Sequence, residues 1–245
     1  MHWQDEGLVI NVRPHGERGQ FLSVFTKEHG RHLGLWRQGS RSQKTARYIQ
    51  IGDEVDVGWR ARLEDHLGTY TVEKTHSHSS DFFDEPLKLM VLSSACALLE
   101  VCLPERDAHP RLYDQTFKLL SVLANDLMDG IKTYIQWEIL LLEELGFALK
   151  LDQCAVTGQT SDLTHVSPKT ARAVSREAAT PYLDKLLPLP SYFVMETTSV
   201  TLKDYLDGLA LTGYFLDRHA HALSGRPLPQ GRRRFIESFK KRCDE

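Results

Sequence analysis

The feature that most constrains this chain is a change of hydrophobic period near residue 76. From Gly7 to about Thr75 apolar side chains recur at every second position in short runs, and beyond Ser80 they recur every three to four. A period of two belongs to strands with one buried face, and a period near 3.6 to amphipathic helices. A chain with both, in that order, is an α+β protein whose parts meet at His76-Ser77-His78-Ser79-Ser80.

The strand runs read as Gly7 to Arg13, Gln20 to Thr26, Arg31 to Arg37, Asp53 to Arg60 and Gly68 to Lys74, with Lys27-Glu28-His29-Gly30 as a compact hairpin connection. Five short strands laid flat would expose edges prone to aggregation, and rolling into a small barrel removes them. The expected N-terminal domain, 1–80, is therefore a five-stranded OB-like β-barrel. The pattern alone does not exclude an SH3-like barrel.

Residues 81–245 read as a mainly α-helical domain. Asp84-Glu85-Pro86 offers a capping Asp and a first-turn proline for a helix to about Leu103. A second helix is expected from Arg111 to Met128. A third runs from Ile131 to about Leu145, with Ile131, Ile135, Ile139 and Leu142 on one face and Gly146 as its stop. The periodicity then fails among Gly158, Pro168, Pro181, Pro188 and Pro190, so 151–190 reads as a loop-rich insertion with one short helix around Lys169 to Ala179. Thr201-Leu202-Lys203-Asp204 is a capping-box-like start for a helix to about Leu223, and a basic helix from Gly231 to Cys243 closes the chain.

Composition narrows the function classes. A net charge of -3 excludes a protein coated in positive charge, so any nucleic-acid site must be a local patch. The start Met1-His2-Trp3-Gln4-Asp5-Glu6 lacks the pattern of a secretory signal, and apolar stretches such as Met90 to Leu99 fall short of the ~20 residues that span a bilayer. Cys96, Cys102, Cys154 and Cys243 form no C-x-x-C pair, which suits a reducing compartment. A cytoplasmic protein with no membrane partner is expected. No G-x-S-x-G, Walker loop, G-x-G-x-x-G or H-E-x-x-H occurs, and Glu143 and Glu144 point in different directions on their helix. Neither an enzyme nor a cofactor is expected.

Charge segregation is the clearest chemical signal. Between Asn11 and Gln50 stand Arg13, Arg18, Lys27, Arg31, Arg37, Arg41, Lys44 and Arg47 against only Glu17 and Glu28. Clustered cations bind phosphate because neutralised phosphates release condensed counterions. Phe21, Phe25, Trp36 and Tyr48 lie among them. Such rings either stack on unpaired bases or fill the core. The candidate nucleic-acid-binding set is Arg13, Arg18, Arg31, Trp36, Arg37, Arg41, Lys44, Arg47 and Tyr48, with Trp36 or Tyr48 as the stacking ring. In the last helix Arg232 to Arg234 and Lys240 to Arg242 either contact phosphate or complement the helix dipole. Cys154-Ala155-Val156-Thr157 supplies one thiolate where a structural zinc knuckle needs two, so no metal is expected there. His76 and His78 have a spacing that could hold a metal, with a polar linker as the simpler reading.

The opening Trp3-x-Asp5-Glu6-Gly7-Leu8-Val9-Ile10, then Arg13-Pro14-His15-Gly16-Glu17, Phe25-Thr26-Lys27-Glu28-His29-Gly30 and Gly39-Ser40-Arg41, resemble in order and spacing the N-terminal OB domain of the RecO family. The likeness continues through Glu138 to Phe147 and Leu151 to Gly158, and so covers most of the chain. It implies a DNA repair and recombination role. That role comprises binding of single- and double-stranded DNA, annealing of complementary strands, and RecA loading with RecR and sometimes RecF. It also implies contact with the acidic C-terminal tail of the single-strand-binding protein. Many such relatives carry a four-cysteine zinc module; here Thr157 replaces one cysteine and Val174-Ser175-Arg176-Glu177-Ala178 stands where the second pair would fall. Two rival readings are a protein–protein adaptor and a small hydrolase or nuclease with a scattered site.

Overall fold

The computed structural model describes residues 1–37, 49–63, 65–194, 200–225 and 227–244. Its first part is a closed barrel of β1 (His2–His15), β2 (Gly19–Thr26), β3 (Gly30–Arg37), β4 (Asp53–Arg60) and β5 (Thr69–Ser77) in the order β1-β2-β3-β5-β4. Neighbours are antiparallel except β3 and β5, which meet in parallel at Leu35–Thr69 and Trp36–Tyr70. The long β1 pairs with β4 through its first half and with β2 through its second, and a register shift between Val9 and Asn11 lets it bend from one to the other. This is the five-stranded OB arrangement.

Alternation decides what fills the barrel. Leu22, Val24, Val55, Val57, Trp59 and Tyr70 point inward and form one cluster, with Val12 and Trp36 packed against it. The buried polar tips are satisfied: the Trp59 indole donates to the Leu67 carbonyl and the Tyr70 hydroxyl to that of His32. Gly34 has a steric reason, because a Cβ there would stand 2.6 Å from the Tyr70 ring.

The second part contains α1 (His78–Asp81), α2 (Pro86–Cys102), α3 (Pro110–Asn125), α4 (Leu127–Glu144), α5 (Arg176–Ala179), α6 (Leu202–Ser224) and α7 (Gln230–Asp244). The cap expected at Asp84 is not used. Glu85 occupies that place without a side-chain cap bond, and Pro86 begins the helix. The Thr201–Asp204 box does form: Asp204 accepts from the Thr201 amide and Thr201 from the Asp204 amide. The insertion is more ordered than its composition suggests. β6 (Leu163–Val166), β7 (Ala173–Ser175) and β8 (Leu187–Pro188) form a small sheet in the order β7-β6-β8, and its helix covers only α5. Strands of two to four residues are too short to print a period.

One buried ion pair ties the helical part together. Glu138 of α4 is fully buried and receives the Arg232 guanidinium of α7 at 2.6 and 2.9 Å; Arg232 also donates to the Leu209 carbonyl and Thr212 hydroxyl of α6. Arg232 therefore leaves the pool of cations available to phosphate.

The two parts share a core. Leu8, Ile10 and Phe25, on the outer face of β1 and β2, are buried in the cluster that includes Val91, Leu99 and Tyr113. Polar contacts fasten the margin. Arg31 donates to the Leu103 carbonyl at 2.9 Å and faces Glu105 at 3.4 Å and Glu100 at 3.6 Å; Asn11 donates to Glu100, and Lys27 pairs with Asp114 at 2.8 Å.

Removing Arg232 leaves Glu138 as an uncompensated buried charge, so Arg232→Met should lower unfolding free energy in denaturant titration by about 3–5 kcal/mol. His32 gives a pH signature. Burial first, and the Arg106 charge second, push its imidazole down to about 4 from 6.5. A depressed histidine binds more protons when unfolded, so its effect is nil above pH 6.5, and stability is lost as pH falls towards 4. This amounts to about 3 kcal/mol by pH 4. His32→Gln should flatten that part of the melting-temperature-versus-pH curve.

Candidate nucleic-acid interface

Pairing register places side chains on the outer barrel wall row by row, since directly opposed residues share a face. Arg13 lies opposite Phe21, Phe21 opposite Leu35, Leu35 beside Thr69, Thr69 opposite Arg60, and Arg60 opposite His2. The row from Arg13 to Arg60 thus crosses four interstrand gaps, roughly 19 Å along the curved wall. The next row adds His15, Gly19 and Arg37 on the same face. The His15 and Phe21 rings touch, with centroids 4.4 Å apart.

Arg13, Arg37, Arg60 and His15 are exposed, and Phe21 and Leu35 are half-buried between them. Arg18 is exposed at the β1–β2 turn beside this row. Among the described residues, Arg13, Arg18, Arg37, Arg60 and Arg62 make no carboxylate ion pair within 4.0 Å. The result is a belt of uncommitted cations around an apolar and aromatic strip.

The structure sorts the candidates unevenly. Arg13, Arg18 and Arg37 lie together at the β1–β2 hairpin and the end of β3. Arg31 has its charge met by Glu100 and Glu105 and its Nε–H by a carbonyl, so it serves as a fastener between the two parts and not as a phosphate ligand. Trp36 occupies the row of Pro14 and Gln20, one residue off the belt, and packs half-buried against the barrel's inner cluster. Of the two phenylalanines left open by the sequence, Phe25 is core and Phe21 lies on the belt. Arg41, Lys44, Arg47 and Tyr48 fall outside the described residues.

Sequence reasoning missed Arg60, Arg62 and His15. A charge count confined to Asn11–Gln50 could not include the arginines; the strand order sets β4 beside β5 and β5 beside β3, so that Arg60 at the end of β4 joins the same wall, with exposed Arg62 two residues beyond it.

The opposite sign collects elsewhere. A cleft of about 830 Å³ on the wall formed by the first half of β1 with β4 and β5 is lined by Asp5, Glu6, Glu28, Asp56 and Glu73, with Lys27. The barrel is therefore electrically two-sided, which reconciles a basic belt with a net charge of -3.

Around the insertion's Cys154, Thr157 and Ser175 converge. The Thr157 and Ser175 amides donate to Sγ at 3.4 and 3.3 Å, and the Ser175 hydroxyl lies 3.4 Å away. Hydrogen bonds to one thiol draw together the two segments that a four-cysteine metal knuckle would join, and a single sulfur does not make such a ligand set.

Comparisons with known proteins agree with this architecture. Residues 1–78 match the family model described as Recombination protein O N terminal, and residues 84–226 that described as Recombination protein O C terminal. The chain is 45% identical to the DNA repair protein RecO of Dinoroseobacter shibae, over 97% of each chain. It is 43% identical to that of Roseobacter denitrificans over 99% of this chain and 100% of the relative, and 42% identical to that of Rhodospirillum centenum over 98% and 96%. With both halves matched and relatives covered end to end, the chain belongs to the RecO family of DNA repair and recombination proteins.

Proposed function

We propose that this protein acts without catalysing bond chemistry, by binding single- and double-stranded DNA, annealing complementary strands and helping to load RecA onto DNA covered by single-strand-binding protein. The observation that carries this reading is the outer belt, in which Arg13, Arg18, Arg37 and Arg60 flank Phe21 and Leu35. Cations neutralise phosphates at any sequence, and an apolar strip with a ring accepts base faces. Screening of phosphate charge lowers the repulsion between two strands, so annealing follows from binding. The acidic cleft on another wall favours one path for the polyanion, since carboxylates repel it.

The partners proposed with this role are RecR, in some settings RecF, and the acidic tail of the single-strand-binding protein, in the cytoplasm and at the nucleoid. A groove of about 540 Å³ between α6 and α7 suits an acidic tail with apolar side chains. Leu206, Leu209, Leu228, Ile236 and one carboxylate, Asp217, line it together with the cations Arg218, Arg233 and Lys240. Of the terminal basic set, these last two keep a place in binding while Arg232 is committed to Glu138.

The test is fluorescence anisotropy of labelled single-stranded DNA across a salt series, paired with an annealing assay with and without single-strand-binding protein. Arg13→Glu with Arg37→Glu should weaken binding roughly tenfold or more at low salt and flatten the log–log salt slope by about 1.4, two single-strand phosphate contacts. The melting temperature should stay nearly unchanged, because both side chains are exposed. No binding by the unmodified protein at low salt would leave the adaptor reading, and metal-dependent cleavage of the DNA would favour a nuclease.

A further inference from the structure

At the junction of barrel and helices, the end of β5 runs into α1 and brings three potential metal ligands together. One ligand atom from each of His76, His78 and Asp81 can be chosen so that all lie within 4.8 Å of one another. The two imidazoles meet edge to face, centroids 4.8 Å apart. Each already has a carboxylate: His76 Nε2 lies 2.6 Å from Asp81, and His78 Nε2 2.6 Å from Glu54 of β4. The chain explains the convergence. His76 and His78 are two apart, His76 pairs in register with Glu54, and the turn of α1 carries Asp81 back over them.

We propose that His76, His78 and Asp81, supported by Glu54, form a binding site for a divalent transition metal of the zinc class. The donor set of two imidazoles and one carboxylate suits zinc, whose nitrogen and oxygen ligands lie about 2.1 Å from the ion and so about 3.4 Å from one another in a tetrahedron. Drawing the three groups together by little more than an ångström reaches that spacing. The two that must move, His76 and Asp81, are exposed and meet each other across their 2.6 Å contact, while His78 is buried and held by Glu54.

One further feature favours an ion over plain ion pairs. A carboxylate on a ligating histidine, as Glu54 on His78, is the outer support that fixes ring orientation at zinc sites. The ion would clip β4, β5 and α1 together where the barrel hands over to the helices. Its expected effect is on the rigidity of that joint.

The experiment uses the full-length, tag-free protein, stripped with a chelator and titrated with Zn²⁺ in a calorimeter and with Co²⁺ in the visible spectrum. One equivalent should bind, with a cobalt spectrum lacking thiolate charge transfer. His76→Gln and Asp81→Asn, both at exposed positions, should retain the unmodified circular dichroism and melting temperature in the absence of metal. Each should weaken zinc binding by more than ~10-fold, beyond the lower range for losing even an outer partner. Cys154→Ser should bind as before. The proposal is overturned if the unmodified protein shows no saturable binding at micromolar metal, if both exposed-site variants bind normally, or if Cys154→Ser alone abolishes binding.

Discussion

The structure depends on a sheet face that is half covered. Along the outer wall of β1, β2 and β3, the row of Leu8, Phe25 and Arg31 is closed off by the helical part, while the rows of Arg13, Phe21 and Leu35 and of His15 and Arg37 continue beyond it. Burying the first row stabilises the joint by removing apolar surface from water, and it fixes the barrel's orientation on α2 and α3. The open rows are thereby presented to solvent on a rigid support. Binding residues on strands are held more precisely than residues on loops, so the covered half orients the uncovered half.

Charge is divided by the same geometry. Arg31, Lys27 and Arg232 look on paper like members of one basic population with Arg13, Arg18 and Arg37. The first three are spent on Glu100 and Glu105, on Asp114 and on Glu138; the others meet no carboxylate among the described residues. A cation held by an internal acid contributes little net field at a distance, whereas uncommitted guanidinium groups on a convex wall attract a polyanion. The acidic cleft on a different wall makes the field directional, which a net charge near neutrality does not reveal.

The insertion's two segments meet through amide donors on the Cys154 sulfur and through the β6–β7 pairing. The buried Val166, Ala173 and Ala179 join the main core, so packing holds the unit in place. Short strands of this kind arise from tertiary contact and not from local preference, which is why composition suggested loops.

The sequence by itself determined the α+β division, the five strands to within three residues of their ends except for β1, which begins five residues before Gly7, the long helices and the concentration of cations in the first fifty residues. These rest on periodicity, capping chemistry and local charge, all of which are written along the chain. The capping Asp84, the insertion's sheet and the packing of Trp36 against the barrel's inner cluster were not legible that way. Only tertiary structure decided which arginines are paired, that Phe21 rather than Trp36 lies on the outer belt, and that Arg60 joins it from forty-seven positions beyond Arg13. The reason is physical: a strand's period states that neighbours face opposite ways, but which way is outward, and what meets it there, is set by register and by the partner that covers it.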